Sequence, residues 1–182
     1  MPVTAPKLMI IGRDGILNHF REDHVKEPEE LEPIPGALEA VAQLNHAGWH
    51  VVLATNQGGI GRGLVDMASV NAVHLRLMKM LAAKGGRIDA VFFCPHAQEA
   101  DCNCRKPRPG LLEEIAHRFN TELDGVPVIG DSLRDLQAAT QVNAQPILVL
   151  TGKGKQTKTA GGLPPNVQIY ADLDEAAKAL VQ

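Results

Sequence analysis

The sequence has few aromatic residues and little net charge. Aromatic side chains make up only 3% of the 182 residues, so a buried core must be built mainly from valine, leucine, isoleucine and alanine. The formal net charge is −3, from 18 basic and 21 acidic residues. This balance gives no reason to expect binding to nucleic acid or to an anionic membrane. Any anionic ligand must therefore be held by a local group of residues.

Long apolar runs are also absent. No run approaches the roughly 18 apolar residues of a membrane span, and Met1–Lys7 lack the apolar stretch after a basic start that marks a secretory leader. We therefore expect a cytoplasmic protein with no membrane partner. Apolar residues make up 45% of the chain and charged residues 21%, which is typical of a globular protein, and we expect one domain over residues 1–182.

Short β-branched runs alternate with longer amphipathic segments. The short runs predict buried strands at Leu8–Ile11, His50–Ala54, Ala90–Phe93, Val126–Ile129 and Ile147–Leu150. Helical spacing of apolar residues predicts helices at Ala37–Ala47, Met67–Lys84, Leu111–Phe119 and Leu133–Gln141. An edge strand at Val167–Tyr170 and a closing helix at Leu173–Val181 complete the pattern. This alternation predicts an α/β, Rossmann-like fold: a mainly parallel central sheet with helices on both faces.

The connections between the first predicted strands hold only about one loop and one helix each, so no separate lid domain is expected. Three segments have no regular pattern: Leu17–Pro35, Pro95–Pro109 and Thr151–Pro165. We expect these loops to shape the ligand site. An open site without a lid favours a monomer that recognises its ligand through loops.

Polar side chains follow four of the predicted strands where each strand ends, and such ends meet at one edge of a parallel sheet. The groups that follow are Gly12 to Gly15, Thr55 to Gly59, Arg105-Lys106-Pro107, and Gly130-Asp131-Ser132 with Asp135 one turn later. Carboxylates bind Mg²⁺, while lysine and backbone N–H groups hold phosphate. Each residue alone is more often a cap, a turn residue or a solvated charge, but together they predict a phosphate site beside a divalent cation.

All three cysteines lie in one short segment with a histidine. The donors are Cys94, His96, Cys102 and Cys104. Three sulfurs and one nitrogen fit a closed tetrahedral Zn²⁺ site, which would order the loop and not activate water. The alternatives are a buried thiol cluster or a disulfide, but a Cys-x-Cys pair makes a strained ring and leaves the third thiol alone. We expect the zinc to fix Arg105 and Lys106 over the site.

The motifs at the strand ends resemble those of the haloacid dehalogenase (HAD) superfamily. That superfamily places Asp-x-Asp-Gly after its first strand, Thr or Ser after its second, a Lys before a later helix, and Gly-Asp-x-x-x-Asp after its fourth. The matching positions are Asp14-Gly15, Thr55, Lys106, and Gly130-Asp131 with Asp135. Gly12 stands where the first aspartate should be.

Further motifs resemble a subgroup, the heptose bisphosphate phosphatases, and the related histidinol-phosphate phosphatases. These motifs are Thr55-Asn56-Gln57-Gly58, Cys94-Pro95-His96 and Cys102 to Pro107, with Asn18 and Gly152-Lys153-Gly154. The resemblance implies hydrolysis of a phosphate monoester on a small sugar, the 7-phosphate of heptose 1,7-bisphosphate, in lipopolysaccharide precursor synthesis. It implies the same four zinc ligands.

The resemblance also implies roles for individual residues. In the family the first aspartate attacks phosphorus, and the second, matched by Asp14, transfers protons. Thr55 and Lys106 match the groups that hold the transferring phosphoryl. Catalytic Mg²⁺ is held by the nucleophile, by the backbone carbonyl that matches Asp14, and by the aspartate that matches Asp131. The implied substrate-binding residues are Asn18, Thr55, Asn56, Gln57, Arg105 and Lys106.

Gly12 removes the attacking oxygen and one of the three protein ligands to magnesium, so we expect the chain to be severely impaired. Arg13, Arg105 and Lys106 would still hold the phosphorylated ligand. Histidinol-phosphate phosphatase is the nearest alternative. A catalytically silent sugar-phosphate-binding protein is supported by Gly12 alone. A zinc-ribbon-like nucleic-acid module is disfavoured by the negative net charge.

Overall fold

The computed structural model describes residues 7–182. The expectation that residues 1–7 form no secretory leader falls largely outside the described residues. Six parallel strands form one sheet in the order β3-β2-β1-β4-β5-β6. The strands are β1 (Leu8–Ile11), β2 (His50–Asn56), β3 (Ala90–Cys94), β4 (Pro127–Gly130), β5 (Gln145–Val149) and β6 (Gln168–Tyr170). The α/β, Rossmann-like prediction is confirmed.

Helices cover both faces of this sheet. They are α1 (Ala37–His46), α2 (Met67–Ala83), α3 (Gly110–Arg118), α4 (Leu133–Gln141), α5 (Gly154–Ala160) and α6 (Leu173–Leu180). Apolar residues of α1, α2 and α6 form one core cluster with the sheet, and those of α3 and α4 form the other. Within residues 7–182, no helix has the length and apolar character to cross a bilayer.

The strand order sets the place of the site. β1 is buried along its whole length and pairs with β2 on one side and β4 on the other. The chain therefore crosses to opposite sides of β1, and a crevice opens beyond the carboxyl ends of these strands, where α/β proteins bind ligands.

Two predictions about local structure were wrong. Thr151–Pro165 contains α5, whose sequence GKQTKTA has no apolar stripe from which a helix could be predicted. α5 begins at Gly154, where a Cβ would overlap the carbonyl oxygen of Val149. The run Ala90–Phe93 is only half-buried, because β3 lies at the edge of the sheet.

Candidate active site

Side chains from all four predicted strand ends meet at one cleft of about 310 Å³. Asp14 follows β1, Thr55 lies in β2, Lys106 follows the cysteine loop after β3, and Asp131 follows β4. All four line the cleft. The structure therefore brings together four residues that are spread over more than a hundred positions of the sequence, from Asp14 to Asp131.

Gly12 lies on the floor of the cleft directly after β1. A Cβ built there would be 3.6 Å from Ile16 Cγ1 and 4.0 Å from Lys106 Nζ, which are ordinary van der Waals distances. Its φ also lies outside the left-handed region that favours glycine. The fold therefore does not require glycine at this position, and the space can hold an aspartate whose carboxylate would be within reach of Lys106.

Asp131 is buried and held by backbone groups. Its Oδ2 accepts a hydrogen bond from the backbone N–H of Lys153 at 2.9 Å. A Cβ at Gly15 or Gly152 would overlap this carboxylate, so glycine at these two positions allows the backbone to approach it. Burial, and then the neighbouring Asp135, raise the pKa of Asp131 to about 6. A bound cation would favour its ionised form.

Lys106 and Asp135 form a buried ion pair beside this carboxylate. Lys106 Nζ lies 2.6 Å from Asp135 Oδ1 and donates to the carbonyl oxygen of Ala54 at 2.9 Å. Asp135 Oδ2 accepts from Ser132 Oγ at 2.9 Å, in a capping box that begins α4. Burial opposes ionisation of Asp135, but Lys106 outweighs it, so the pKa of Asp135 is lowered. The pair fixes the lysine ammonium at the floor of the cleft.

Asn56 orients the backbone of Lys106. Its Oδ1 accepts from the Lys106 N–H at 3.1 Å, and its Nδ2 donates to the Lys106 carbonyl oxygen at 3.3 Å. Arg105, which directly precedes Lys106, donates from Nη1 to the carbonyl oxygen of His96 at 3.3 Å and lines the cleft. The tip of β2 and the cysteine loop therefore position these two cations together.

Three residues that were expected to contact the ligand bond to other residues of the site. Arg13 lies among the residues that line the cleft, but it is only 1% exposed and its guanidinium bonds to Asp14, His74 and Gln57, so that it holds phosphate stays a prediction. Asn18 is buried outside the cleft lining and donates to Asp14 Oδ1 at 2.9 Å. Gln57 is also buried and donates to Thr55 Oγ1 at 2.9 Å. These contacts suit support of the site residues, and direct contact of Asn18 and Gln57 with a ligand stays a prediction.

The cysteine loop gathers its four donors. One ligand atom from each of Cys94, His96, Cys102 and Cys104 lies within 4.8 Å of the others, and the cysteines are not joined by disulfides. Cys94 Sγ is 3.7 Å from Cys102 Sγ, close to the separation of about 3.8 Å that a tetrahedral zinc with bonds of about 2.3 Å requires, and 2.8 Å from Cys104 Sγ, which would have to move apart on binding. Burial raises the pKa of the Cys94 thiol to about 12. The donor set fits Zn²⁺, which would stabilise the thiolate.

Sequence reasoning missed a set of basic side chains around the cleft, which we call the cationic rim. They are Arg62, Arg105, Arg134 and Lys153, of which only Arg105 was expected to bind substrate. Burial, and then the positive charge of the nearby Arg134, lower the pKa of Arg105. Lys153 Nζ lies 4.2 Å from the ring centroid of Phe20, which also lines the cleft. The position of Arg134 three residues after Asp131 was the available signal.

Two family models match the chain. One, described as polynucleotide kinase 3 phosphatase, matches residues 22–134. The other, described as HAD-hydrolase-like, matches residues 103–176.

Named relatives are similar along nearly the whole chain. The D-glycero-beta-D-manno-heptose-1,7-bisphosphate 7-phosphatase of Bordetella bronchiseptica is 49% identical over 97% of this chain and 98% of its own. The protein of the same name from Pseudomonas putida is 45% identical over 96% of this chain and 99% of its own.

Solved structures give the same result. The crystal structure of D,D-heptose 1,7-bisphosphate phosphatase from B. bronchiseptica, complexed with magnesium and phosphate, has a TM-score of 0.95 at 49% identity and covers 97% of this chain and 98% of that one. The enzyme of that name from Burkholderia thailandensis has a TM-score of 0.78 at 47% identity and covers 97% of this chain and 99% of that one.

Proposed function

The chain belongs to the heptose 1,7-bisphosphate 7-phosphatases, phosphoric monoester hydrolases of the haloacid dehalogenase superfamily, and we propose that its site is built to release the 7-phosphate of heptose 1,7-bisphosphate. The observation that carries the proposal is the meeting of Asp14, Thr55, Lys106 and Asp131 in one cleft. In this role the protein would act in the synthesis of lipopolysaccharide precursors.

The residues of the cleft suit the separate tasks of phosphoryl transfer. The Lys106 ammonium, fixed by Asp135, and the Thr55 hydroxyl would hold the phosphoryl group and offset its charge. Asp14 would protonate the leaving oxygen and later take a proton from the hydrolytic water. A nucleophile would have to reach phosphorus from the floor, where Gly12 lies.

Magnesium fits the acidic part of the site. The Asp131 carboxylate and the backbone carbonyl of Asp14 would hold the ion, because Mg²⁺ is commonly bound by one or two carboxylates together with substrate phosphates and water. The buried Asp131, whose pKa is raised to about 6, gains most from a neighbouring cation. The ion would supply positive charge against the phosphoryl oxygens.

The chain as it stands lacks the attacking carboxylate. Loss of an essential nucleophile lowers turnover by about a millionfold in measured proteases, and we expect a comparable loss here. The groups that would bind phosphate remain in place. The chain with Gly12 is therefore expected to bind its phosphorylated sugar and to turn it over extremely slowly, which is the behaviour of a sugar-phosphate-binding protein.

The cationic rim favours a bisphosphate over histidinol phosphate. A second phosphate would relieve the repulsion between Arg105 and Arg134, whereas the ammonium group of histidinol phosphate would add to it. The zinc loop supports the same selectivity, because Arg105 follows the last zinc ligand directly. Since the zinc site needs three reduced thiols, we place the protein in the reducing cytoplasm.

The test compares the chain as it stands with Gly12→Asp and Gly12→Asn. Phosphate release from heptose 1,7-bisphosphate and from histidinol phosphate is measured with Mg²⁺ present. We expect Gly12→Asp alone to gain strong activity, and to prefer the bisphosphate, because Asn has the same size without a carboxylate. Equal activity of all three chains, or a preference of Gly12→Asp for histidinol phosphate, would contradict the proposal.

A further inference from the structure

Within residues 7–182, the hydrogen bonds to the Asp14 carboxylate fall mainly on one of its two oxygens. Arg13 donates to Oδ1 from Nε at 3.1 Å and from Nη2 at 3.0 Å, and Asn18 Nδ2 donates to the same oxygen at 2.9 Å. Oδ2 accepts only a longer bond, of 3.3 Å, from Arg13 Nη2. Oδ1 is therefore saturated with N–H donors, while Oδ2 has free acceptor capacity.

Arg13 is itself fixed from beneath by a histidine of α2. Its Nη1 lies 3.1 Å from His74 Nε2, and its Nη2 donates to Gln57 Oε1 at 3.5 Å. Because a guanidinium nitrogen can only donate, His74 Nε2 must accept, and its proton must be on Nδ1. Burial, and then Arg13, lower the pKa of His74 to about 4, which keeps the ring neutral at ordinary pH. We call Arg13, Asn18, Gln57 and His74 the Asp14 clamp.

Stability alone does not account for the clamp. A buried arginine with polar partners is often no more stable than apolar packing of the same volume, because the charged group loses its hydration. The clamp instead directs four nitrogen–oxygen contacts at one carboxylate. The Asp14 side chain remains 28% exposed at the cleft, whereas that of Arg13 is 1% exposed. The arrangement therefore fixes the orientation of one cleft-lining group.

We propose that His74 is a positioning residue that acts through Arg13, holding Oδ1 of Asp14 so that Oδ2 is the oxygen that exchanges protons. This inference rests on the proposed function. In Gly12→Asp, the carboxylate introduced at position 12 would bond to phosphorus, and the proton on Oδ2 would pass to the leaving oxygen as the bond from phosphorus to that oxygen breaks. In the second half-reaction Oδ2 would take a proton from water as the water oxygen bonds to phosphorus and the enzyme carboxylate departs. Three N–H donors leave no room for that proton on Oδ1.

The kinetic test uses substrates that differ in their need for an acid. His74→Leu and His74→Gln are each added to the Gly12→Asp chain. We then compare kcat/KM for heptose 1,7-bisphosphate and for p-nitrophenyl phosphate with the values of the Gly12→Asp chain itself. A sugar alkoxide needs a proton to leave, whereas nitrophenolate does not. General acid catalysis is worth about 100-fold or more, so His74→Leu should lower kcat/KM for the sugar by about that factor and hardly change it for the aryl phosphate. His74→Gln, which keeps an acceptor, should restore most of the loss.

Equal losses on both substrates would show a structural role only and would overturn the inference. Leu81→Val is the matched control, because Leu81 is also buried in α2 but lies seven positions from His74, so the variant loses packing without removing a polar contact of the clamp. It should affect both substrates alike.

A second measurement uses the chain with Gly12 and needs no activity. We follow the Nε–H signal of Arg13 by ¹⁵N NMR, assigned by its loss in Arg13→Lys. We expect slow hydrogen exchange in the parent and in His74→Gln, and fast exchange in His74→Leu. Unchanged exchange in His74→Leu would refute the clamp, even if the proposed function held. An inactive Gly12→Asp with this NMR result would refute the proposed function and leave the clamp standing.

Discussion

Asp131 and His74 should give the folded protein two opposing responses to pH over the same range. The pKa of Asp131 is raised from 3.8 to about 6, so between these values the folded state binds more protons than the unfolded state. Its contribution to the free energy of unfolding therefore falls as pH rises. The pKa of His74 is lowered from 6.5 to about 4, so the unfolded state binds more protons, and the free energy of unfolding rises with pH.

The two effects are of similar size. Each shift of about 2 pKa units corresponds to about 3 kcal/mol, because one unit is worth about 1.4 kcal/mol. We therefore expect these contributions to offset one another in the parent between about pH 4 and 6. Asp131→Asn removes the falling contribution, so its free energy of unfolding should rise relative to the parent across this window. His74→Gln removes the rising contribution, so its free energy of unfolding should fall relative to the parent.

The assay is urea unfolding followed by circular dichroism at several pH values between 4 and 7, with magnesium chelated. Saturating Mg²⁺ supplies an internal control, because a cation at Asp131 should remove the falling contribution in the parent and change His74→Gln in the same direction. The reasoning would be refuted if both variants gave curves parallel to that of the parent. It would also be refuted if the two differences had the same sign.

Three further predictions concern the glycines, the cationic rim and the zinc loop. Gly12→Ala should preserve or raise the free energy of unfolding by up to about 1 kcal/mol, whereas Gly130→Ala should lower it, because only a Cβ at position 130 overlaps Asp135. Chemical denaturation measures both variants, and equal effects would contradict the steric assignment. Arg134→Gln should weaken binding of heptose 1,7-bisphosphate at least tenfold in calorimetry and leave inorganic phosphate binding nearly unchanged; parallel losses would remove the rim from bisphosphate recognition. Elemental analysis should find one zinc per chain. Chelation of this zinc, or Cys94→Ser, should lower the melting temperature and weaken phosphate binding, because the zinc orders the loop that carries Lys106. A chain without zinc that melts at the same temperature would exclude the site.

The sequence predicted the sheet and the convergence at its edge, because both follow from local patterns. Buried parallel strands are continuous apolar runs, and their carboxyl ends must face one edge, so Asp14 and Asp131 could be placed together without coordinates. α5 could not be predicted, because its polar sequence has no helical periodicity and its start depends on the close approach of Gly154 to β5.

The supporting contacts of the site were also beyond the sequence. Arg13 lies beside Asp14 in the chain and was expected to meet the ligand, but its side chain turns into the core to reach His74, which is 61 positions away. Nothing in the local pattern of α2 separates this histidine from an ordinary core residue. Side-chain direction at such a site depends on which buried donors need acceptors, and this is settled only when the helix packs on the sheet.

Among the glycines of the site, the one at position 12 is not required by packing, so its effect is on the chemistry of the cleft. Glycine is required at positions 15 and 130, where a Cβ would overlap Asp131 or Asp135, but Gly12 has room for a side chain. Glycine at position 12 therefore leaves the surrounding geometry intact and changes the charge on the floor of the cleft. Lys106 is paired there with Asp135, and an aspartate at position 12 would add a further negative charge within its reach. The added carboxylate would repel an anionic ligand, so the chain with Gly12 should bind inorganic phosphate more tightly than Gly12→Asp does when magnesium is absent. At saturating magnesium the order of affinities should reverse, because the added carboxylate then supplies a metal ligand. Calorimetric titration of both chains under the two conditions measures this reversal, and tighter binding by Gly12→Asp in the absence of magnesium would show that charge on the floor of the cleft does not govern phosphate affinity.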